Sequence, residues 1–500
     1  MTRAIGKPQG PGYAVLTAAV AVGFGVATTR VPLLAVAGAV ALSILTFGLA
    51  LPGRLSRAFL LVLGLVLFGY ATWGRAFAYL GVAPVFVGEA VLALGLLAMV
   101  DGGRNWSILK SPVMLAMVAF ALWGSSRTFP YTKAYGVDAL RDAVIWGYSA
   151  FAFSIALLAP PHLGERVAER YASLLRWFLV WAPIGLVLSR AVSDRVPTVP
   201  GSNVPLFALK PGDVGVHLAG AAAFLLLDLH RVVLPNSSRR PVAPSWSYWV
   251  PWCCGLLIVA SLSRGGLLAV IAAVATVTLV RPLEGAKKLA RVGIGAAFVV
   301  AALVAFEVNV DVGDSRKVSP QQVVTNLASI SHERSAEALE GSRRWRLLWW
   351  NTILDYTVFG RYFWTGKGFG VNLADADGFQ VYGDRSLRSP HNGHLTILAR
   401  AGVPGLVLWL LVLISFAGGL VRAALRAMRE GHEWWARVDL WILGYWAAFI
   451  VNGAFDVFLE GPQGGIWFWS LVGFGLSVLH AQSRHPDSIV QRRRLAGEQL

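Results

Sequence analysis

Apolar segments long enough to cross a membrane alternate with short polar or basic segments along most of the chain. About 20 consecutive apolar residues in an α-helix cross a hydrocarbon core of roughly 30 Å. The pattern therefore predicts an all-α polytopic bundle of about 12–14 transmembrane helices. The predicted spans are residues 12–28, 32–51, 57–73, 82–100, 109–123, 139–158, 173–189, 214–229, 248–261, 264–280, 292–308, 393–419, 439–457 and 463–480.

The composition agrees with this pattern and excludes a soluble protein. Of the 500 residues, 56% are hydrophobic and 14% are charged, whereas soluble domains carry about 25% charged residues. Arg3 and Lys7 give the first span the basic flank of a signal peptide. A second span follows at once, and no small-residue cleavage site separates the two, so we interpret the first span as a membrane helix.

The formal net charge of +17 raises the possibility of nucleic-acid binding. The basic residues, however, lie in loops on one side of the predicted helices, as the positive-inside rule requires, where they set topology and contact anionic lipid. We therefore expect no nucleic-acid partner, and we expect both termini in the cytoplasm. The basic loops contain Arg54, Arg57, Arg104, Lys110, Arg166, Arg170, Arg231, Arg239, Arg240, Arg281, Lys287, Lys288, Arg291, Arg422, Arg426, Arg429, Arg437 and residues 492–494.

Five regions follow from this topology. They are the N-terminal transmembrane helices (1–247), two helices around a Ser-Arg-Gly-Gly break (248–308), one large extracytoplasmic loop (309–390), the C-terminal transmembrane helices (391–481) and a basic cytoplasmic tail (482–500). No disulfide framework or spaced zinc site is available, because the two cysteines are adjacent in an apolar segment.

The large loop contains three recognisable patterns. Across residues 333–359 an apolar stripe predicts an amphipathic helix, which we expect along the membrane interface. The stripe consists of Trp345, Leu348, Trp349, Thr352 and Tyr356. The stretch 366–370 (Gly-Lys-Gly-Phe-Gly) predicts a tight loop, because no βαβ context supports a dinucleotide fingerprint. Asp375 and Asp377 predict a solvated turn. Lys210, in a second outer loop at 190–213, is expected near the same face.

Two arginine-containing motifs are candidates for phosphate binding. The run 249–280 is too long for one span and is interrupted at Arg264-Gly265-Gly266, which predicts two helices that meet near the outer surface. Guanidinium is permanently charged and matches phosphate oxygens with two parallel donors, and the glycines leave room for a ligand. Snorkelling to lipid headgroups is the alternative. Arg343, Arg344 and Arg346 open the amphipathic helix and suit phosphate or headgroups equally.

Histidine and carboxylate side chains also lie at predicted outer helix ends. His391 and His394, three residues apart, begin the span 393–419. A metal pair is one interpretation, but no carboxylate partner lies at short range, so a catalytic base is preferred. Nearby arginines favour the neutral imidazole that can accept a proton. Asp456 and Glu460 flank another outer turn, where we expect pairing with arginines.

The order of these motifs resembles the O-antigen ligase and Wzy-type polymerase superfamily. The resemblance covers residues 250–475 and depends on the pair His391-Asn392 and on the Arg-x-x-x-Leu pattern at Arg264. Leu395, Gly402 and Gly405 complete the motif that His391 begins. Arg400 departs from it, because many relatives carry an acidic residue at that position.

The resemblance implies a metal-independent membrane glycosyltransferase of the GT-C type, without a cofactor or nucleotide. The donor would be a glycan on polyprenyl diphosphate, and the acceptor a hydroxyl of a glycan, lipid or protein. His391 would be the base, and Arg264 and Arg346, the latter followed by Trp350, would hold the diphosphate. Attack opposite the leaving group would invert the anomeric carbon. Arg343 and Arg388 are further diphosphate candidates, and His394, Asn392, Asp456 and Glu460 would bind the acceptor or support the site.

These implications place the reaction on the outer face of the bacterial cytoplasmic membrane. A transporter or flippase of lipid-linked or soluble sugars is the alternative, but transporter sites usually lie at the bilayer midplane on broken helices. A scaffold is the third possibility and requires no converging arginines and histidine. The sequence leaves open the sugar, the acceptor and the choice between polymerase and ligase.

Overall fold

A computed structural model describes residues 54–82, 85–101, 105–192, 195–200, 204–233, 245–281 and 337–488, with a few single positions and short pieces between and after them. The predicted spans 12–28, 32–51 and 292–308 lie outside the described residues, as does nearly all of the tail from residue 489 onwards.

The described chain is helical. Its α-helices are α1 (Arg54–Trp73), α2 (Val87–Asp101), α3 (Pro112–Tyr135), α4 (Val137–Gly147), α5 (Ser149–Leu158), α6 (Leu163–Ala191), α7 (Pro211–Leu226), α8 (Leu229–Val233), α9 (Trp246–Leu262), α10 (Arg264–Val280), α11 (Glu337–Thr357), α12 (Leu373–Asp377), α13 (Gly393–Arg429), α14 (Glu433–Gly453) and α15 (Pro462–Arg484). Two antiparallel two-stranded ribbons pair Gly81–Val82 with Val85–Phe86 and Val310–Asp311 with Lys317–Val318.

The architecture confirms the predicted all-α polytopic membrane protein. Every predicted span within the described residues overlaps a helix, and four of these helices (α1, α6, α13 and α15) are both long and apolar enough to cross a membrane. The span 139–158 is divided at Tyr148 into α4 and α5. The span 109–123 continues as α3 to Tyr135. The chain is thus a multi-pass membrane protein.

Helix α7 lies at the centre of the bundle, with all of its residues buried. It packs against α10, α14 and α9. A Cβ atom at Gly215 would lie 2.7 Å from the Cα atom of Gly266 in α10, so only glycines permit this crossing. Small residues allow such close approach of membrane helices. The crossing brings the N-termini of α7 and α10 together at one end of the bundle.

Helix α13 is broken at Gly402, about two and a half turns after its first residue. Gly402 has φ +70° and ψ −175°, which is not helical, and Pro404 has no N–H to donate to the carbonyl of Arg400. The Val403 N–H donates to the Phe363 carbonyl at 2.8 Å rather than to the Ala399 carbonyl. Two carbonyls of α13, at Ala399 and Arg400, are therefore left without their usual helical donors.

The glycine-rich stretch 366–370 supplies both missing donors. The Lys367 N–H donates to the Ala399 carbonyl at 2.7 Å, and the Gly368 N–H donates to the Arg400 carbonyl at 3.0 Å. The Trp123 indole of α3 donates to the Ala401 carbonyl at 2.8 Å. The predicted tight loop is therefore the part that fills the break in α13, and it ties the outer loop to the membrane helices.

Helix α11 lies within the predicted amphipathic segment 333–359, but much of its apolar face packs on protein. Trp349 and Ile353 are fully buried against Leu373, Leu387 and Leu398. Leu347 and Leu348 are exposed, so the predicted stripe is divided between the protein core and the surface. This packing fixes α11 beside the start of α13.

Replacing Gly402 by alanine tests the break. A Cβ atom there would lie 2.5 Å from the Phe363 carbonyl oxygen at positive φ, so we expect a loss of about 1–3 kcal/mol in the free energy of unfolding. Gly64→Ala on α1 is the matched control, because a Cβ atom there would have no neighbour within 4 Å. This substitution should be neutral or stabilising. Thermal unfolding followed by tryptophan fluorescence measures both. Equal unfolding temperatures for the two variants would contradict the proposed strain.

Candidate functional site

The segment 388–392, which leads into α13, is held by its neighbours on several sides. Arg388 donates to both oxygens of Asp142, at 3.3 and 2.9 Å, and to Asp138 at 3.2 Å. The Pro390 carbonyl accepts from the Trp350 indole of α11 at 3.0 Å. The backbone on the N-terminal side of His391 is thus tied to α4 and α11.

Asn392 fixes the segment on the C-terminal side. Its side-chain oxygen accepts from the N–H groups of His394 and Leu395 at 3.0 and 3.1 Å, which makes it the N-cap of α13. Thr396, in the first turn, donates to Glu460 at 2.8 Å. Asn392 and Glu460, predicted as acceptor or support residues, therefore act locally as a helix cap and an anchor.

Burial raises the pKa of Glu460, opposed by hydrogen bonds from Thr396 and Ser389 and by the charge of Arg400. Ser389 thereby links the segment 388–392 to the turn before α15.

His391 itself has a ring nitrogen without a hydrogen-bond partner among the described residues. Its φ is +57°, which is uncommon for a residue other than glycine and is tolerated by histidine better than by branched residues. The ring is half-buried, and its Nδ1 atom is buried without a hydrogen-bond partner among the described residues. A backbone held on both sides thus carries an imidazole that packs near Trp345 and whose Nδ1 atom has no hydrogen-bond partner among the described residues.

The surroundings of His391 favour its neutral form. Burial lowers the pKa of His391 from 6.5 to about 4, and the positive charges of Arg346 and Lys210 act in the same direction, while Asp456 opposes them. Because the pKa is lowered, the neutral form of the ring predominates at pH values above about 4. A neutral imidazole can accept a proton from a substrate.

His394 has the opposite character. The indole N–H of Trp409 donates to its Nδ1 at 2.9 Å, and because indole is only a donor, the proton of the neutral ring is on Nε2. Nε2 lies 3.2 Å from the Ile450 carbonyl, to which it donates. Both ring nitrogens are thus engaged, so His394 supports the packing of α13 on α14. The alternative of a metal pair with His391 has no geometric support.

Arg264 is the first residue of α10, where the predicted break occurs. The Ser263 hydroxyl caps this helix by accepting from the Gly266 N–H at 3.1 Å. A Cβ atom at Gly265 would lie 3.2 Å from the side-chain oxygen of Asn452 and 3.3 Å from the Cβ of Phe455. Arg264 therefore lies beside the turn that follows α14.

The same turn meets α11 and α7. Arg346 donates to the Phe455 carbonyl at 3.3 Å. Lys210, which precedes α7, forms an ion pair with Asp456 at 2.5 Å. The residues 452–456 thus lie between the cations of three helices, and the charges of Arg346, Lys210 and Asp456 all act on His391.

These contacts bring together most of the residues selected from the sequence. His391, Arg346, Asp456 and Lys210 lie within electrostatic range of one another, and Arg264 borders the same turn. Arg343 and Arg344 lie on the exposed side of α11. Arg388 is instead paired with two carboxylates, and burial, which alone would lower its pKa, is outweighed by Asp142 and Asp138, which raise the pKa of Arg388.

The expectation of a solvated turn is wrong for Asp377. Its side chain is fully buried and accepts from the Trp349 indole at 2.6 Å, from the Tyr356 hydroxyl at 3.2 Å and from Lys367. Asp375 does lie at the surface, in the first turn of α12, where it accepts from Gln380. Asp377 therefore joins α11 to the glycine-rich loop.

Sequence reasoning missed Asp138 and Asp142. They lie four residues apart on one face of α4, with Asp142 inside the predicted span 139–158 and Asp138 directly before it. A carboxylate near the bilayer is costly without a partner. The presence of two carboxylates there could therefore have indicated that cationic partners pack against α4. These partners could not be named, because Arg388 and Arg400 lie more than 200 residues further along the chain.

The fold and this arrangement define a multi-pass membrane protein with cations, carboxylates and a neutral histidine gathered at one end of its bundle. Residues 249–410, from α9 into α13, match the family Wzy_C, described as O-antigen ligase. The match confirms the resemblance to the O-antigen ligase and Wzy superfamily and supports a membrane glycan-processing enzyme of the ligase or polymerase type. No curated protein matches the chain.

The pKa of His391 can be measured by the exchange of its ring Cε1 hydrogen for deuterium, followed by mass spectrometry as a function of pH. We expect a midpoint near pH 4 in the wild type. Arg346→Gln removes a cation and should raise the midpoint, whereas Asp456→Asn removes an anion and should lower it. A midpoint at the ordinary value in the wild type, or one that neither variant moves, would contradict the described environment.

Proposed function

We propose that the protein transfers a glycan from a polyprenyl-diphosphate carrier to an acceptor hydroxyl on the outer face of the cytoplasmic membrane. The observation that carries this proposal is His391, whose ring is neutral and whose Nδ1 atom has no hydrogen-bond partner among the described residues. The charge of Arg346 acts on this ring, and Arg346 contacts the same turn as the N-terminus of α10. A base and a set of fixed cations are what such a transfer requires. The superfamily match independently supports glycan processing.

The reaction separates into two tasks. His391 accepts the proton of the acceptor hydroxyl while the hydroxyl oxygen bonds to the anomeric carbon. The bond between that carbon and the bridging phosphate oxygen breaks, and its electron pair leaves with the polyprenyl diphosphate. Attack from the side opposite the leaving group inverts the anomeric carbon. A positioned base contributes roughly 10²–10⁴-fold to such a rate.

Arg264 and Arg346 are proposed to stabilise the departing diphosphate. Preorganised cations lower the barrier most when they lie where negative charge develops. Arg343 lies on the exposed side of the same helix as Arg346 and is the weaker candidate for this role. Arg388 is no longer favoured as a diphosphate ligand, because Asp142 and Asp138 already neutralise it.

The distribution of charge supports an outer location for the site. Helices α7, α10, α13 and α15 begin at the site end, and α14 ends there. At their opposite ends lie Arg281 and Arg437, both paired with Glu433, and Arg484. Further arginines end α13, at Arg426 and Arg429. The positive-inside rule assigns that basic end to the cytoplasm.

The transporter alternative has less support. Helix α13 is broken, as transporter helices often are, but its free carbonyls accept from the glycine-rich loop and Trp123. A substrate has no described backbone group to bind there. The neutral imidazole of His391 and the cations Arg264 and Arg346 lie at the bundle end rather than at the break, which favours chemistry at the membrane surface.

His391→Asn is the sharpest test of the base. Asparagine tolerates the positive φ of this position, so the backbone should be retained while the base is lost. We expect release of polyprenyl diphosphate from a lipid-linked glycan, in the presence of acceptor and a metal chelator, to fall at least about 100-fold. His485→Asn, an exposed histidine at the other end of the bundle, should retain wild-type release. Unchanged release in His391→Asn would remove His391 as the base.

Arg264→Lys tests the donor site. Lysine keeps the charge but loses the planar fork that matches phosphate, so kcat/KM for the donor should fall about 10–100-fold. Arg422→Lys, exposed on α13 at the basic end, is the control and should have no effect. Wild-type kcat/KM in Arg264→Lys would contradict its assignment to the diphosphate.

A further inference from the structure

We propose that Asp142, on α4, is a positioning residue that sets the location of His391 through Arg388. This inference deepens the proposed function and relies on it for its activity measurements. It assigns part of the site to a helix that lies outside the matched residues 249–410.

Asp142 is a hub for three separate segments. Its carboxylate accepts from Arg388 at 2.9 and 3.3 Å, from Arg400 at 2.8 Å and from the Gly370 N–H at 3.0 Å. Only 7% of the Asp142 side chain is exposed, and Arg400 is 1% exposed. A single buried carboxylate therefore joins the segment before His391, the glycine-rich loop and α13.

Arg388 has a fixed geometry in this cluster. Its guanidinium also donates to the Gly370 carbonyl at 2.9 Å and to Asp138 at 3.2 Å, so most of its donors are used. Because Arg388 precedes His391 by three residues, its anchored guanidinium restrains the segment that carries the imidazole. Trp350 and Asn392 restrain the same segment at Pro390 and at the start of α13 but hold it to other helices.

The charges explain why Asp142 is hard to replace. Two arginines and one carboxylate are buried together, with Asp138 as a more exposed second carboxylate. Removing one partner of a buried cluster leaves the others uncompensated. Asparagine has the size of aspartate but would leave Arg400 and most of the charge of Arg388 unpaired. A reaction that requires a base within hydrogen-bond distance of a hydroxyl is sensitive to displacements of about 1 Å.

The first test compares Asp142→Asn and Asp142→Glu in the full-length protein. We expect Asp142→Asn to lower kcat at least about 30-fold while the donor KM changes less than about threefold, since the donor is held by Arg264 and Arg346. Asp142→Glu keeps the charge and should recover part of kcat. Asp384→Asn, an exposed carboxylate in the same outer loop, is the matched control and should leave both constants unchanged.

The second test measures coupling. If Asp142 acts through Arg388, both substitutions weaken the same contact between these two side chains. The double variant Asp142→Asn with Arg388→Lys should then be no slower than the slower single variant. A kcat within about threefold of wild type in Asp142→Asn, or additive losses in the double variant, would overturn the proposal. If Asp142→Asn does not fold, Arg388→Lys decides: a lower kcat at constant donor KM supports the proposal, and wild-type kcat overturns it.

A readout without turnover separates this proposal from the proposed function. The rate at which diethyl pyrocarbonate modifies His391 depends on the position of the ring, and peptide mass spectrometry distinguishes it from His394. We expect that rate to change several-fold in Asp142→Asn but not in Asp384→Asn. If the wild type transfers no glycan, the proposed function fails, and a changed His391 rate still supports positioning by Asp142. An unchanged rate overturns it.

Discussion

The insertion of the glycine-rich loop into the break of α13 is the interaction on which the rest of the site depends. A helix interrupted in a membrane leaves carbonyl groups that water cannot satisfy, and each would be costly. The N–H groups of Lys367 and Gly368 remove most of that cost. The same contact brings Gly370 and Arg400 to Asp142, and through Asp142 it places Arg388. A requirement of backbone hydrogen bonding thus determines where a titratable side chain lies.

The electrostatics of the site follow from its location at a bundle end. Several cations meet there: Lys210 is paired with Asp456, and Arg388 and Arg400 share Asp142. Asp456 also opposes the effect of Arg346 and Lys210 on the pKa of His391. Burial is the main cause of the lowered pKa of His391, and the charges of Arg346 and Lys210 add to it. A neutral base next to an anion site suits a transfer in which a proton leaves one substrate and negative charge develops on the other.

Much of the fold could be predicted from the sequence, because spans of apolar residues are a strong and local signal. The break at Arg264, the amphipathic α11 and the start of α13 were visible for the same reason. The interior of the outer loop was not predictable. Asp377 follows another acidic residue in a polar turn, and only tertiary packing against Trp349 and Tyr356 buries it.

The candidate site was predicted in part. Residue chemistry and motif order selected His391, Arg264 and Arg346, which the fold brings to one bundle end. Arg388 has the same chemistry, but the position of α4 shows that it forms ion pairs with Asp142 and Asp138. His394 also has the chemistry of a base, yet Trp409 and the Ile450 carbonyl engage both of its nitrogens. Local sequence identifies a group that can act, and long-range contacts decide which groups remain available.

The most direct measurement is an experimental structure of the protein with a non-transferable analogue of a polyprenyl-diphosphate glycan. The account predicts that the diphosphate lies within hydrogen-bond distance of Arg264 and Arg346, with the anomeric carbon on the side of His391. A diphosphate bound at the basic end of the bundle, near Arg281 and Arg437, or one bound away from both Arg264 and Arg346, would contradict it.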